Sequence, residues 1–147
     1  MKFQKILCPS DFSENSEKAL SYAIELAGDE GASIEIIHVF QKPYYVAPLG
    51  TPHTPEGGMA FFERVHGELG AQLTKQAQSR GTPGIELTHR MLEGIVYDEI
   101  VKISGDYDLI VMASHGRRGL ERVVLGSVTE RVVARASCPV LTVPLHP

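Results

Sequence analysis

The sequence is short of cysteine and of basic charge, and each shortage argues against a class of protein. Two cysteines, Cys8 and Cys138, are too few for a disulfide framework. Fourteen basic residues against eighteen acidic ones give a net charge of -4. A general nucleic-acid binder neutralises phosphates with basic residues, and this chain has no such excess. We therefore expect neither a disulfide scaffold nor a nucleic-acid partner.

Long apolar runs are also scarce. At the amino terminus, MKFQKILCPSDF has only a short hydrophobic stretch, which Pro9 and Asp11 interrupt. That stretch is too short for a signal-peptide core or a membrane span, so we expect a cytoplasmic protein with no membrane partner. The chain has 147 residues, of which 43% are hydrophobic and 22% charged, as in ordinary globular proteins. We expect one domain over residues 1–147.

Several motifs of nucleotide and catalytic sites are missing. No Gly-x-x-x-x-Gly-Lys-Ser/Thr segment is present, and no Gly-x-Gly-x-x-Gly follows the first predicted strand. These absences argue against a P-loop NTPase and a dinucleotide-binding Rossmann site. The six histidines show no paired metal spacing, and no set of nucleophile, base and orienting group is readable. We expect no metal centre and no catalytic residue.

Strand-like and helix-like segments alternate along the chain. Periodicity and turn signals predict five strands, at Lys5 to Pro9, Ser33 to Phe40, Ile85 to Leu92, Asp108 to Ala113 and Cys138 to Val143. Four helices are predicted at Ser13 to Asp29, Met59 to Arg80, Ile95 to Ser104 and Ser127 to Ser137. The stretch from Gln41 to Gly58, rich in proline and glycine, is predicted as a loop, either a lid over a site or a surface excursion.

This alternation predicts an α/β fold with a doubly wound, Rossmann-like parallel sheet of strand order 3-2-1-4-5 and helices on both faces. In that order the chain reverses direction between strands one and four, and ligands bind at their carboxyl ends. The loops PSDFS and ASHGRRGL should meet there. Strand four would separate Cys8 from Cys138 by about 9 to 10 Å, at ~4.8 Å per strand, too far for a disulfide.

The segment after strand four fits two functions. Gly116 and Gly126 could expose backbone N–H groups to a phosphate, and Ser127 would start a helix whose positive end attracts anions. Alternatively, Ser127 and Glu130 form a capping box that needs no ligand. Residue types alone leave both open.

Asp11 is similarly ambiguous. It could accept hydrogen bonds from a base or a sugar, or it could cap the first helix with Glu14 three residues on. Ser13 is a second candidate for that cap.

A family resemblance runs along the whole chain, in the segments KILCPSDFS, IIHVF, DLIVMASHGRRGLERVVLGSVTERVV and CPVLTVP. They resemble the universal stress protein family. Its nucleotide-binding members carry Gly, two residues, Gly, nine residues, Gly, then Ser or Thr. In this chain, Ala113 occupies the position of the first glycine of that motif. Its methyl is tolerated if the backbone φ is negative, whereas a positive φ would cost on the order of 1 kcal/mol, about five-fold in affinity.

The resemblance implies that the chain binds ATP, with or without Mg²⁺. Pro9, Asp11 and Val39 would surround the adenine. The ribose and phosphates would lie against the positions of the glycine motif and its neighbours, which are Met112, Ala113, His115, Gly116, Arg117, Gly126, Ser127 and Val128.

The resemblance also implies a cytoplasmic homodimer, formed through the last strand from Cys138 to Val143, that acts as a switch in the stress response. Such a protein is not an enzyme, or at most hydrolyses ATP slowly. One alternative is a dimeric interaction module that binds no nucleotide, and another is a nucleotidyl transferase.

Overall fold

The computed structural model describes residues 2–41, 55–115 and 125–144. It contains five strands, β1 (Lys5–Pro9), β2 (Ser33–Phe40), β3 (Leu87–Glu93), β4 (Leu109–Ala113) and β5 (Val140–Val143). Four α-helices connect them, α1 (Glu14–Glu30), α2 (Pro55–Ser79), α3 (Val96–Ile103) and α4 (Ser127–Arg135). A 3-10 turn, Ser104–Asp106, follows α3.

All neighbouring strands are parallel, and the sheet order is β3-β2-β1-β4-β5. This confirms the predicted fold class and strand order. The interior strand β4 is LIVMA, and all five of its residues are buried. A continuous apolar strand of this kind requires cover on both faces of the sheet.

The two faces of the sheet are covered by different helices. Alternate side chains such as Ile6, Ile36 and Val111 pack with residues of α1 and α2. The intervening side chains, such as Leu7 and Ile110, pack with residues of α3 and α4. The sheet is therefore doubly wound, as predicted.

The two cysteines lie on opposite faces of this sheet. Cys8 is fully buried in the cluster on the α1 and α2 face, whereas Cys138 packs against the cluster on the α3 and α4 face. Both thiols are free, as the strand order predicted.

Several predicted boundaries were wrong for local reasons. Pro55 to Gly58 belong to α2 instead of the predicted loop, because a proline is tolerated in the first helical turn, where its missing N–H is not needed. The rest of that loop, residues 42–54, lies outside the described residues. Strand β5 begins at Val140 and not at Cys138, since Pro139 has no N–H to donate to a ladder and only its carbonyl pairs, with Ile110.

Other ends differ by one or two residues. Strand β3 starts at Leu87 because the Ile85 N–H closes a turn with the Thr82 carbonyl. Helix α4 ends at Arg135, where Ala136 takes an extended backbone conformation.

A polar cluster closes the amino end of the sheet. Tyr107 is buried, and its hydroxyl donates to the Glu35 carboxylate. The Arg90 Nε lies 3.3 Å from Glu35 Oε1. The Lys5 ammonium sits 4.6 Å from the centre of the Tyr107 ring. The cluster joins β1, β2, β3 and the start of β4 at the end of the sheet where these strands begin.

Alkaline titration should weaken the fold through this cluster. Burial, and then the neighbouring Glu35 carboxylate, raise the pKa of Tyr107 from 10.0 to about 12. The folded state therefore holds the proton more tightly than the unfolded chain, and stability present below pH 10.0 is lost as the pH rises to about 12. We expect the free energy of unfolding, from urea titrations, to fall across this window in the wild type and to fall less in Tyr107→Phe. Tyr22→Phe, at an exposed tyrosine of α1, is the control and should behave as wild type. Equal declines in wild type and Tyr107→Phe would contradict this account.

Candidate functional site

The loops that follow β1 and β4 meet at the carboxyl end of the sheet. Asn15, near the start of α1, donates from Nδ2 to the His115 carbonyl at 3.0 Å. His115 is the second residue after β4 and the last described residue before the glycine-rich segment. The crevice predicted between strands one and four is therefore bordered by both loops.

Asp11 shapes the turn after β1. Its Oδ1 accepts hydrogen bonds from the Ser13 N–H, at 3.0 Å, and from the Ser13 hydroxyl. Ser13 is the residue that caps α1, because its hydroxyl oxygen accepts from the Ser16 N–H. The alternative in which Asp11 caps the helix was therefore wrong. A carboxylate offers about four acceptor positions, so the role of Asp11 in the turn is compatible with a further bond to a ligand.

Two aromatic rings hold the same turn, and the sequence analysis missed both. Phe12 has φ 63°, which makes it the only non-glycine residue with positive φ in the described part of the chain. Its ring centre lies 4.5 Å from that of His38, with an angle of 31° between the planes. His38 Nδ1 is 2.8 Å from the Ser10 carbonyl oxygen. A carbonyl only accepts, so Nδ1 is the donor.

Two hydrogen bonds attach the start of α4 to the end of β4. The Gly126 N–H donates to the Ser114 carbonyl at 2.8 Å, and the Thr129 hydroxyl donates to the Ala113 carbonyl at 2.9 Å. Thr129 and Ser114 are both buried. The start of α4 and the end of β4 are thus joined directly by backbone and side-chain hydrogen bonds.

Gly126 caps this helix, and the predicted capping box was wrong. The Gly126 carbonyl accepts the first helical bond, from the Glu130 N–H at 2.9 Å, so Ser127 is already inside the helix and its side chain is exposed. The N–H groups of residues 127–129 precede the first bond of the helix and have no partner within the described ranges. N–H groups that lack such partners, at the positive end of the helix dipole, suit a phosphate.

Ala113 lies in β4 with an extended backbone. It pairs with Val143, its φ is not positive, and its methyl packs in the cluster on the α1 and α2 face. The alternative in which positive φ would make alanine costly was therefore wrong. At this position the backbone conformation does not require glycine.

The remaining predicted residues occupy the strand ends around the crevice. Pro9 ends β1, and Val39 lies one residue before the end of β2. The side chains of Val39 and Met112 are buried in the cluster on the α3 and α4 face, and Val128 packs against the same cluster. The predicted residues Gly116 and Arg117 lie outside the described residues.

The loop after β4 contains one serine–histidine contact. Ser114 Oγ lies 3.0 Å from His115 Nδ1. His115 Nε2 is buried and has no hydrogen-bond partner in the described part of the chain. A serine nucleophile needs a base that a third group orients, and no described residue supplies such a group to the imidazole.

The described residues contain neither a metal cluster nor a membrane-spanning helix. Across 2–41, 55–115 and 125–144, no group of three His, Cys, Asp or Glu side chains is arranged to hold a metal ion. No helix in those ranges combines the length and apolar character needed to cross a membrane.

Comparison with known proteins identifies the family. The model of the "Universal stress protein family" matches residues 2–144. Universal stress protein MJ0531 of Methanocaldococcus jannaschii is 36% identical over 144 residues, which cover 96% of this chain and 82% of that protein. The solved structure of MJ0577 from the same organism has a TM-score of 0.83 at 29% identity, covering 98% of this chain and 97% of the other. A universal stress protein in complex with cAMP has a TM-score of 0.64 at 20% identity, covering 97% and 98%. The chain described here therefore belongs to the universal stress protein family.

Proposed function

We propose that this chain binds ATP, with or without Mg²⁺, in the crevice between β1 and β4. The observation that carries the proposal is the first turn of α4, whose N–H groups have no side-chain cap among the residues that the structure describes. Because Gly126 and Thr129 attach this turn to β4, the donors are already in place before a ligand arrives. Preorganised donors of this kind bind an anion at a lower cost in ordering.

The base side of the proposed site lies on the other loop. Pro9 ends β1 and Asp11 follows it, next to the end of β2, and both would face the adenine as the family resemblance implies. A fold of this class has held an adenine nucleotide in the universal stress protein solved with cAMP, which supports the capacity of the fold.

We further propose that the protein is a cytoplasmic switch in the stress response and not an enzyme. Ser114 is buried, and its contact with His115 lacks an orienting partner in the described residues, so hydrolysis of bound ATP would be slow at most. In this proposal, ATP acts by favouring one arrangement of the loops around the crevice over another.

The proposed dimer interface is β5. It forms one edge of the sheet, and Leu141 is exposed there. The carbonyls of Pro139 and Val143 accept bonds from β4, which leaves the backbone groups of the alternate residues Val140 and Thr142 facing the open edge. A second copy of β5 can pair with those groups.

A side chain at the helix cap tests the nucleotide site. Gly126 has φ -61° and ψ 152°, which any residue can adopt, so Gly126→Val should fold and yet place a branched side chain at the first turn of α4. We expect ATP affinity, from isothermal titration calorimetry, to fall at least about ten-fold. Gly67→Val is the control, because an added Cβ meets nothing within 4 Å there. A folded Gly126→Val variant with wild-type affinity would remove the helix end from the site, and a wild type that ignores ATP would favour the interaction module.

Restoring the motif glycine should not improve binding. The backbone of Ala113 is extended, so Ala113→Gly removes a packed methyl without relieving any strain. We expect the Kd for ATP to stay within about two-fold, while the free energy of unfolding falls by about 1 kcal/mol. Calorimetry and urea titration measure the two quantities. A large gain in affinity would show that the methyl obstructs the ligand.

The dimer interface can be tested without disturbing the sheet. Thr142→Pro removes an N–H that faces the open edge and leaves the bonds from β4 to Pro139 and Val143 in place. We expect the wild type to sediment as a dimer and Thr142→Pro to sediment as a folded monomer. Thr142→Val keeps the N–H and should remain dimeric. A monomeric wild type, or a variant that stays dimeric, would contradict the assignment of β5 as the interface.

A further inference from the structure

We infer that His38 is a positioning residue of the nucleotide site, which sets the place of the Asp11 carboxylate by clamping the turn after β1. This inference rests on the proposed function, in which Asp11 faces the base or the sugar. It assigns a role to a residue of β2 that directly precedes the site residue Val39 in the chain.

The first part of the clamp holds the peptide of Ser10. The Ser10 N–H donates to the Ile37 carbonyl at 2.8 Å, and His38 Nδ1 donates to the Ser10 carbonyl at 2.8 Å. The partners of Ser10 in these two bonds, Ile37 and His38, are adjacent residues of β2. The residue before Asp11 is therefore fixed on both sides by the neighbouring strand.

The second part of the clamp holds Phe12, the residue after Asp11. A phenylalanine at φ 63° is in a conformation that side chains with a Cβ avoid, and it persists only where its surroundings hold it. Here the His38 ring lies against the Phe12 ring, at 4.5 Å between centres. The Phe12 N–H also donates to the Ser10 hydroxyl at 3.2 Å. The same histidine thus secures the residues on both sides of Asp11.

The position of the carboxylate follows from these contacts. With Ser10 and Phe12 fixed, Asp11 has little backbone freedom, and Oδ1 is further held by the Ser13 N–H. Without the His38 ring, Phe12 can relax to negative φ, which turns the adjoining peptide and carries the carboxylate away from its place. A ligand would then have to bear the cost of ordering Asp11.

A double-mutant cycle tests whether His38 acts through Asp11. His38→Ala, Asp11→Asn and the double variant are compared with wild type by calorimetry with ATP and with AMP. We expect His38→Ala to raise both Kd values about five- to ten-fold, because base and sugar are common to both nucleotides. In the Asp11→Asn background the same substitution should change the Kd by less than about two-fold, since the group it positions is already altered.

Conservative variants separate positioning from general loss of stability. His38→Asn keeps an N–H donor for the Ser10 carbonyl but loses the ring, and His38→Phe keeps a ring against Phe12 but loses the donor. Each should therefore lose part of the affinity, though less than His38→Ala. These variants also carry the test if His38→Ala does not fold. His89→Ala is the matched control, because His89 lies on the neighbouring strand β3, and bonds to Thr74 on α2. Its Kd values should equal those of wild type.

The outcomes distinguish this inference from the function on which it rests. Wild type that binds ATP, combined with additive losses in the double variant, would overturn the role of His38 and leave the nucleotide site intact. Wild-type affinity in both His38→Asn and His38→Phe would also overturn the role of His38 and leave the nucleotide site intact. Wild type that binds neither ATP nor AMP would overturn the proposed function, and the positioning role with it.

Discussion

The candidate site depends on the attachment of α4 to β4. Two hydrogen bonds, from Gly126 to Ser114 and from Thr129 to Ala113, fix the start of α4 at the end of β4. The two acceptors are the backbone carbonyl groups of Ser114 and Ala113, at the carboxyl end of β4. The first turn of α4 is therefore held at the carboxyl end of the sheet, the same end at which the turn after β1 lies.

Much of the fold could be predicted because its signals are local. The apolar run of β4 and the isoleucine-rich β2 specify strands by composition, and the alternation with helices then restricts the topology to a parallel sheet with right-handed crossovers. Boundaries were less predictable. Pro55 can begin a helix or belong to a loop, and Pro139 can accept a ladder bond while donating none. The element to which each proline belongs is decided by tertiary contacts, which the local sequence does not specify.

The site was predicted in outline, and its details could not be. Ser127 and Glu130 match a capping box in spacing, yet the cap lies one residue earlier because the Gly126 carbonyl, and not the Ser127 side chain, meets the helix. Phe12 carries no sequence sign of positive φ, since glycine or asparagine is the usual residue there. His38 looks like any polar residue in an alternating strand. Its partner Phe12 is 26 positions away, and only the pairing of β1 with β2 brings them together.

The burial of Cys8 affects the reactivity of its thiol toward oxidants. Desolvation raises the pKa of the Cys8 thiol to about 12, and the reactive form of cysteine is the thiolate. Burial also raises the pKa of Cys138. Peroxide and disulfide exchange therefore encounter two protonated thiols on opposite sides of one sheet, too far apart to resolve each other. The reactive thiolate is therefore scarce at both cysteines, which makes these two thiols poor sensors of oxidants.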